Sequence, residues 1–231
     1  MSRLLYGLMP RSGFKAVVLD MDGTLVDSSE AHLEAWIKAA ETLGVEVSEA
    51  KIRSEFGKSS LDMAKAFLPR DRVFDAARFA RLKDEVFMRR CLSLVKPITG
   101  VSEALRGFKA MGLKMAVASS NPRVLVAEVL SRVRLIGYID ILVGSEDVER
   151  GKPHPDMVEE AVRRLGVRPC ETLYVGDTVY DVEAGKAAGV FTVAVLTGAA
   201  SRGELEAAHP DMVVENLNSL LGFIRGRRSA S

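Results

Sequence analysis

The chain has 231 residues, with 32 Lys+Arg against 31 Asp+Glu and a formal net charge of +1, so it lacks the excess of positive charge with which a nucleic-acid binder neutralises phosphates. A hydrophobic content of 48% supports a buried core and excludes a disordered chain, and at roughly 100–200 residues per domain the length fits one large domain or one domain carrying an insertion. The two cysteines, Cys91 and Cys170, are too few for a disulfide framework and read as inert buried thiols; their spacing does not decide whether they pair.

In chain order, Leu4–Pro10 lies between Arg3 and Arg11 without a small-residue cleavage site, and core-like sequence begins at Phe14. That leaves too little room for a signal peptide. Lys15–Asp20 is a short apolar run ending in acid, the mark of a strand buried on both faces. From about Asp27 to Lys96 no strand pattern occurs. Leu33, Trp36, Ile37 and Ala40 mark an amphipathic helix stopped by Gly44, and Phe79, Leu82 and Val86 mark a later one. These roughly 70 residues far exceed the dozen or so that a crossover between parallel strands needs. They read as an inserted helical domain, and Pro97 and Gly100 punctuate the return to the core.

After the return, helices and strands alternate. Val101, Ala104, Leu105 and Phe108 form one helical stripe and Val158, Ala161, Val162 and Leu165 another, bounded by Pro155 and Gly166; Leu125–Leu130 is apolar on several sides. Lys114–Ser119, Ile139–Val143, Thr172–Val175 and Phe191–Val195 read as strands, with Met212–Val214 a short edge strand. The Arg225, Arg227, Arg228 end reads as a frayed, solvated tail. A run such as Val190–Leu196 is far short of the roughly 20 residues of a membrane helix. The expectation is a soluble, cytoplasmic α/β protein: a Rossmann-like doubly wound parallel sheet formed by residues 12–26 and 97–231, with an α-helical domain inserted at 27–96.

Ligands of open α/β sheets bind beyond the carboxyl ends of the strands. The first strand is followed by Asp20-Met21-Asp22-Gly23-Thr24, the second by Ser119-Ser120-Asn121, the third, across a connection, by Gly151-Lys152-Pro153, and the fourth by Gly176-Asp177-Thr178 with Asp181 four residues after Asp177. Acids gathered on one edge repel one another unless a cation joins them. An all-oxygen ligand set favours a hard ion such as Mg²⁺. A lysine and hydroxyls beside it would hold phosphate oxygens, so the set points to phosphoryl chemistry.

The segment Asp20-Met-Asp-Gly-Thr-Leu-Val-Asp-Ser28 resembles the first motif of the haloacid dehalogenase superfamily in its phosphatase form. Ser119, Lys152 and Gly176-Asp177-x-x-x-Asp181 match its other three motifs in order, and the insertion lies where the family's helical cap lies. The resemblance implies Asp20 as the nucleophile that becomes an aspartyl phosphate and Asp22 as the acid and base. It implies Asp20, Asp177 and Asp22 (through its main-chain carbonyl) as Mg²⁺ ligands. Ser119 and Lys152 would hold phosphate, with Ser120 beside them. Residues i and i+2 of an extended segment share a side, which lets both carboxylates of the first motif face one substrate. Asp181 is either a supporting partner of the metal or Lys152, or a helix N-terminal acid.

In the insertion, Phe56-Gly57-Lys58-Ser59-Ser60 resembles the family's cap specificity loop. Lys58 is either a ligand for the distal part of a substrate or a solvated charge. His32 is a substrate or hinge contact or an ordinary surface histidine, and Trp36 is core. By resemblance to the phosphoglycolate phosphatase and β-phosphoglucomutase branch, the expected enzyme is a Mg²⁺-dependent phosphomonoesterase for a small phosphorylated metabolite, phosphoglycolate or a sugar phosphate. The alternatives are a hexose-phosphate mutase and a non-catalytic phosphometabolite-binding protein. Against the mutase, Ser60 stands where β-phosphoglucomutase carries an arginine, and Gly176 where it carries a glutamate; His32 and Trp36 favour the mutase side, but phosphatase relatives share such residues. Oligomeric state, monomer or homodimer, is left open. The joints of the insertion, near Val26 and Lys96–Pro97, are expected to flex.

Overall fold

The computed structural model describes residues 13–228; the Leu4–Pro10 reading therefore lies outside the described residues. β1 (Ala16–Leu19) leads through the two-residue strand β2 (Val26–Asp27) into helices α1 (Ser29–Leu43), α2 (Glu49–Ser54), α3 (Ser60–Phe67) and α4 (Ala76–Val86). The chain returns through β3 (Lys96–Pro97). Then follow α5 (Val101–Ala110), β4 (Lys114–Ala118), α6 (Arg123–Arg132), β5 (Ile141–Val143), α7 (Asp156–Leu165), β6 (Thr172–Gly176), α8 (Val179–Ala187), β7 (Phe191–Val195), α9 (Arg202–Ala207), β8 (Met212–Val214) and α10 (Leu217–Arg228).

The six long strands form one parallel sheet in the order β5-β4-β1-β6-β7-β8. Its order reverses beside β1, which places the carboxyl end of that strand at the crevice of the fold. All four β1 residues are fully buried, Val17 and Leu19 in one apolar layer with α5, α6 and α10, Ala16 and Val18 in the other with α7 and α8. That is why the strand reads as an unbroken apolar run rather than an alternating one. Each buried Val or Leu contributes about 1.5–3 kcal/mol.

The helices between β2 and β3 own a separate apolar cluster built on Trp36, Ile52, Phe67 and Phe79. Trp36 packs edge-on against Phe67 and Phe79, each with ring centres 5.0 Å apart. Gly44 ends α1 in the left-handed conformation and donates its N–H to Glu41. Ala31, Ala35, Phe87 and Cys91 join the main core, so the base of the insertion is packed onto the sheet domain.

Several expectations need correction. β2 and β3, an antiparallel pair with Val26 opposite Pro97, occupy the joint where no strand was foreseen. β5 starts at Ile141, not Ile139, because Asp140 sits at the strand's edge, its carboxylate accepting from the Met115 N–H at 2.8 Å. Both cysteines are free, but only Cys91 is buried. Cys170 is exposed in the single turn Pro169–Glu171 that leads into β6. Arg225 belongs to α10, whose Leu217, Leu220, Leu221 and Ile224 pack on the core, so the basic end is not a frayed tail up to that point. Among the described residues no helix is long and apolar enough to cross a membrane.

Candidate active site

A cavity opens at the carboxyl end of β1, between the sheet domain and the helical insertion, lined by Asp20, Asp22, Lys152, Asp177 and Asp181 below and by His32, Trp36, Lys58 and Lys83 above. Asp20 continues the β1 ladder, its N–H bonded to the Val175 carbonyl at 2.8 Å. The chain then folds back: the N–H groups of Leu25 and Val26 donate to the Met21 carbonyl at 2.8 and 3.1 Å. Gly23 turns this corner at φ +74°, and a Cβ there would collide with the Asp177 carboxylate. The turn brings Asp20 and Asp22 into one cavity and Asp177 against its back.

Lys152 Nζ donates to Asp20 at 2.5 Å and pairs with Asp181 at 2.7 Å. Asp181 is both things foreseen for it. It caps α8 with Thr178, accepting the Thr178 N–H at 3.1 Å and its hydroxyl at 2.6 Å, and it anchors Lys152; the Tyr174 hydroxyl donates to it at 2.6 Å. Burial works against the charges of Asp181 and Lys152, but Lys152 with the Thr178 and Tyr174 hydroxyls outweighs it for the acid, and Asp181 with Asp20 and Tyr174 outweighs it for the ammonium, so the acid is held below the usual carboxylate range and the ammonium well above its ordinary value.

Asp20 and Asp22 sit in contrasting surroundings. Burial pushes Asp20 up to about 7 despite Lys152, with Asp181 and Asp22 adding repulsion. Burial also opposes the Asp22 charge, but His32, Ser28 and Lys83 outweigh it and hold that carboxyl below its usual range. Asp22 accepts from the Ser28 hydroxyl, lies 3.2 Å from His32 Nε2, and accepts from Asn121 Nδ2 at 2.5 Å. His32 is therefore no surface histidine: it is buried, stacked on Phe87 with ring centres 4.4 Å apart. Burial and Lys83 lower its proton affinity against the pull of Asp22.

Asp20, Asp177 and Asp181 each offer an oxygen within 4.8 Å of the others, all buried. Asp177 accepts from Thr24 Oγ1 at 3.2 Å and from the Ala199 N–H at 3.3 Å, yet burial and the charges of Asp181 and Asp20 hold it well above the carboxylate range. Gly198 lies so close that any side chain would strike this carboxylate. Buried, mutually repelling carboxylates with oxygen-only donors fit a hard divalent cation. The third carboxylate of this cluster is Asp181. The Asp22 side chain faces Ser28, His32 and Asn121 instead.

The other expected residues are distributed unevenly. Ser119 is fully buried behind the lining; its hydroxyl accepts from the Asn121 N–H at 3.3 Å and Nδ2 at 3.2 Å. Ser120 lines the cavity and donates to the Gly57 carbonyl at 3.1 Å. Lys58 lines it too, tied to Glu55 at 2.6 Å. Two site residues escaped the sequence reading. Asn121 follows Ser119 and Ser120 and was passed over as a strand-end residue. Lys83 lies on the cavity side of α4, buried, 3.2 Å from Ser60 Oγ and 3.1 Å from Asp84. Its helix is amphipathic and a lysine there reads as solvated; only its place on the apolar side, four residues after Phe79, hinted otherwise.

Residues 17–195 match the family model described as haloacid dehalogenase-like hydrolase. The chain belongs to that family. It is an enzyme of the haloacid dehalogenase-like class, and its relatives carry phosphatase names. It is 33% identical to a Dickeya dadantii protein named "Probable phosphatase IndB", over 89% of this chain and 91% of that one. It is 27% identical to the phosphoglycolate phosphatase of Escherichia coli strain K12, over 90% and 91% of the two chains. In fold it is similar to the crystal structure of β-phosphoglucomutase from Clostridium difficile, with TM-score 0.80 at 20% identity over 94% and 98% of the chains. Hydrolase and mutase thus share this haloacid dehalogenase-like scaffold, and the choice between them rests on the residues in the cavity.

Proposed function

We propose that the protein is a Mg²⁺-dependent phosphomonoesterase that hydrolyses a small phosphorylated metabolite, such as phosphoglycolate or a sugar phosphate, through an aspartyl phosphate. The observation that carries this reading is the pair of carboxylates at Asp20 and Asp22, which share one cavity but have different partners: Asp20 is bonded to Lys152, and Asp22 is held by Ser28, His32 and Asn121. Two carboxylates so placed can take different roles in one reaction.

Asp20 attacks phosphorus in line; the new Asp20 O–P bond forms as the ester P–O bond breaks. Lys152, bonded to Asp20 in the free site, orients the nucleophile and then neutralises phosphoryl oxygens. Asp22 carries the proton. The dianionic phosphate beside it raises its affinity for a proton, which it delivers to the leaving oxygen. As a base it then takes a proton from the water that cleaves the acyl phosphate. His32, Ser28 and Asn121 fix its direction in both steps. Asp20 and Asp177, with the main-chain carbonyl of Asp22, would hold Mg²⁺, which when bound supplies charge compensation for the phosphoryl group. An ester oxygen leaving group needs the proton from Asp22, whereas a halide does not, which favours P–O cleavage over dehalogenation.

Transfer to a second hydroxyl, as in a mutase, is disfavoured by Ser60. It stands at the place of the second-phosphate arginine, and its hydroxyl is already shared by Asp84 at 3.0 Å and Lys83 at 3.2 Å. The test is phosphorus NMR with Mg²⁺. The expected result is free phosphate from phosphoglycolate or a sugar phosphate. Conversion of β-glucose 1-phosphate, primed with a trace of the 1,6-bisphosphate, to glucose 6-phosphate without free phosphate would make the protein a mutase.

A further inference from the structure

We propose that Tyr180, in the first turn of α8, is a positioning residue that docks the Glu55–Ser60 loop of the helical insertion onto the rim of the sheet domain, and thereby sets which leaving groups the site accepts. The selectivity half of this inference rests on the phosphomonoesterase reading; the docking half does not.

Three contacts converge on the loop. Gly57 lies so near α8 that a Cβ would stand 3.2 Å from Tyr180 Cδ2 and 3.1 Å from Thr178 Cγ2, and its φ of +95° favours glycine. Lys58 Nζ lies 5.6 Å from the centre of the Tyr180 ring while it donates to Glu55 at 2.6 Å, so a carboxylate and a tyrosine, through its ring and its hydroxyl, hold the ammonium. Ser120, from the loop after β4, donates its hydroxyl to the Gly57 carbonyl at 3.1 Å. Apart from the Lys58–Glu55 pair, these contacts cross from the insertion to the core, and Gly57, Lys58, Ser120 and Thr178 line the cavity together. Tyr180 itself is not part of that lining.

Lys58 and Ser120 therefore have partners in the docked loop before any substrate arrives. Their first task is to shut the cavity, and the ring of Tyr180 is the surface they shut against. A small leaving group held under the docked loop gains from closure. A bulky aromatic leaving group that keeps the loop from seating gains little. If the docked state falls to about a tenth of the population, apparent affinity for the small substrate falls about tenfold.

The test compares wild type, Tyr180→Ala and Tyr180→Phe on phosphoglycolate and on para-nitrophenyl phosphate. In Tyr180→Ala, KM for phosphoglycolate should rise about tenfold with kcat changed less than threefold. The ratio of kcat/KM for phosphoglycolate over para-nitrophenyl phosphate should fall by nearly the same factor. Tyr180→Phe, which keeps the ring and removes only the hydroxyl, should keep most of the wild-type ratio. Equal loss on both substrates, or no loss, overturns the proposal. Amide hydrogen exchange of residues 55–60 in the apo protein gives a readout independent of turnover: it should accelerate severalfold in Tyr180→Ala. Wild-type exchange in that variant overturns the docking role even if the protein hydrolyses no phosphomonoester. Absent turnover with accelerated exchange refutes the phosphomonoesterase reading alone.

Discussion

The two walls of the cavity are opposite in chemistry. The floor, at the strand ends of the sheet domain, presents four carboxylates and one ammonium: Asp20, Asp22, Asp177, Asp181 and Lys152. The roof, from the helical insertion, presents Lys58 and Lys83 among Trp36, Phe56 and Met63, and no carboxylate. The acids that balance the roof, Glu55 and Asp84, accept from these lysines but stand behind the lining. In the proposed reaction a floor of crowded acids would hold cation and phosphoryl group and move protons, and a roof of cations and apolar surface would read whatever hangs from the phosphate. The division has one exception: Ser28 and His32 belong to the insertion, yet they hold Asp22.

The largest effect belongs to the floor. Asp20→Asn should lower kcat by on the order of 10³-fold or more in a phosphate-release assay, because a neutral amide forms no acyl phosphate; a variant retaining a tenth of the wild-type rate would show that Asp20 is not the nucleophile. Chelation comes next. EDTA should abolish turnover and Mg²⁺ restore it, with Ca²⁺ inhibiting through its larger, looser coordination. Full activity in EDTA would remove the metal from the floor altogether.

The roof should respond in KM. Lys83→Met keeps much of the side-chain volume and removes one ammonium, so KM for a small phosphorylated acid should rise about tenfold, the scale of a lost hydrogen bond to a charged group, while kcat changes by less, through the smaller part Lys83 takes in holding Asp22 low. Steady-state kinetics decide it, and a fall in kcat at constant KM would place Lys83 with the reacting atoms instead. The smallest effect is a control at the amino end of the sheet, away from both walls. Glu171 is held down to about 2, first by Arg168 and then by Lys15. Its lowered folded value means that its contribution is present above the unfolded value near 4.5 and is lost as pH falls toward 2. Glu171→Gln should therefore cost a small drop in Tm at pH 7 that shrinks by pH 3, with kcat/KM unchanged. A Tm difference that grows in acid would contradict this sign.

The floor was legible in the sequence and most of the roof was not. Asp20, Asp22, Lys152, Asp177 and Asp181 each follow a strand that announces itself as an apolar run, so their shared edge comes from topology alone. Phe191–Val195 and Met212–Val214 were bounded correctly for the same reason. β2 and β3 are two residues each and carry no period to detect. Roof residues are scattered over three helices and the loop between α2 and α3, whose mutual packing sets what faces the cavity, so Lys83 and the role of His32 emerge only in three dimensions. Ser119 shows the converse: its place after a strand was plain, but that its hydroxyl serves Asn121 rather than lining the cavity depends on the path of the loop beyond it.

The joint formed by β2 and β3 carries a consequence for how such a molecule can be rebuilt. Val26 pairs with Pro97 and Asp27 with Lys96, so the chain leaves the sheet domain and re-enters it at adjacent points, neighbouring strands being about 5 Å apart. Two adjacent ends can be closed by a hairpin of two residues. Everything between them hangs from a single seam: it can be lengthened or exchanged without redrawing one strand of the sheet, provided the replacement again fills the places of Ala31, Ala35, Phe87 and Cys91 in the core and brings Ser28 and His32 to Asp22. Engineers can therefore vary the roof by grafting at one place while the sheet beneath is kept.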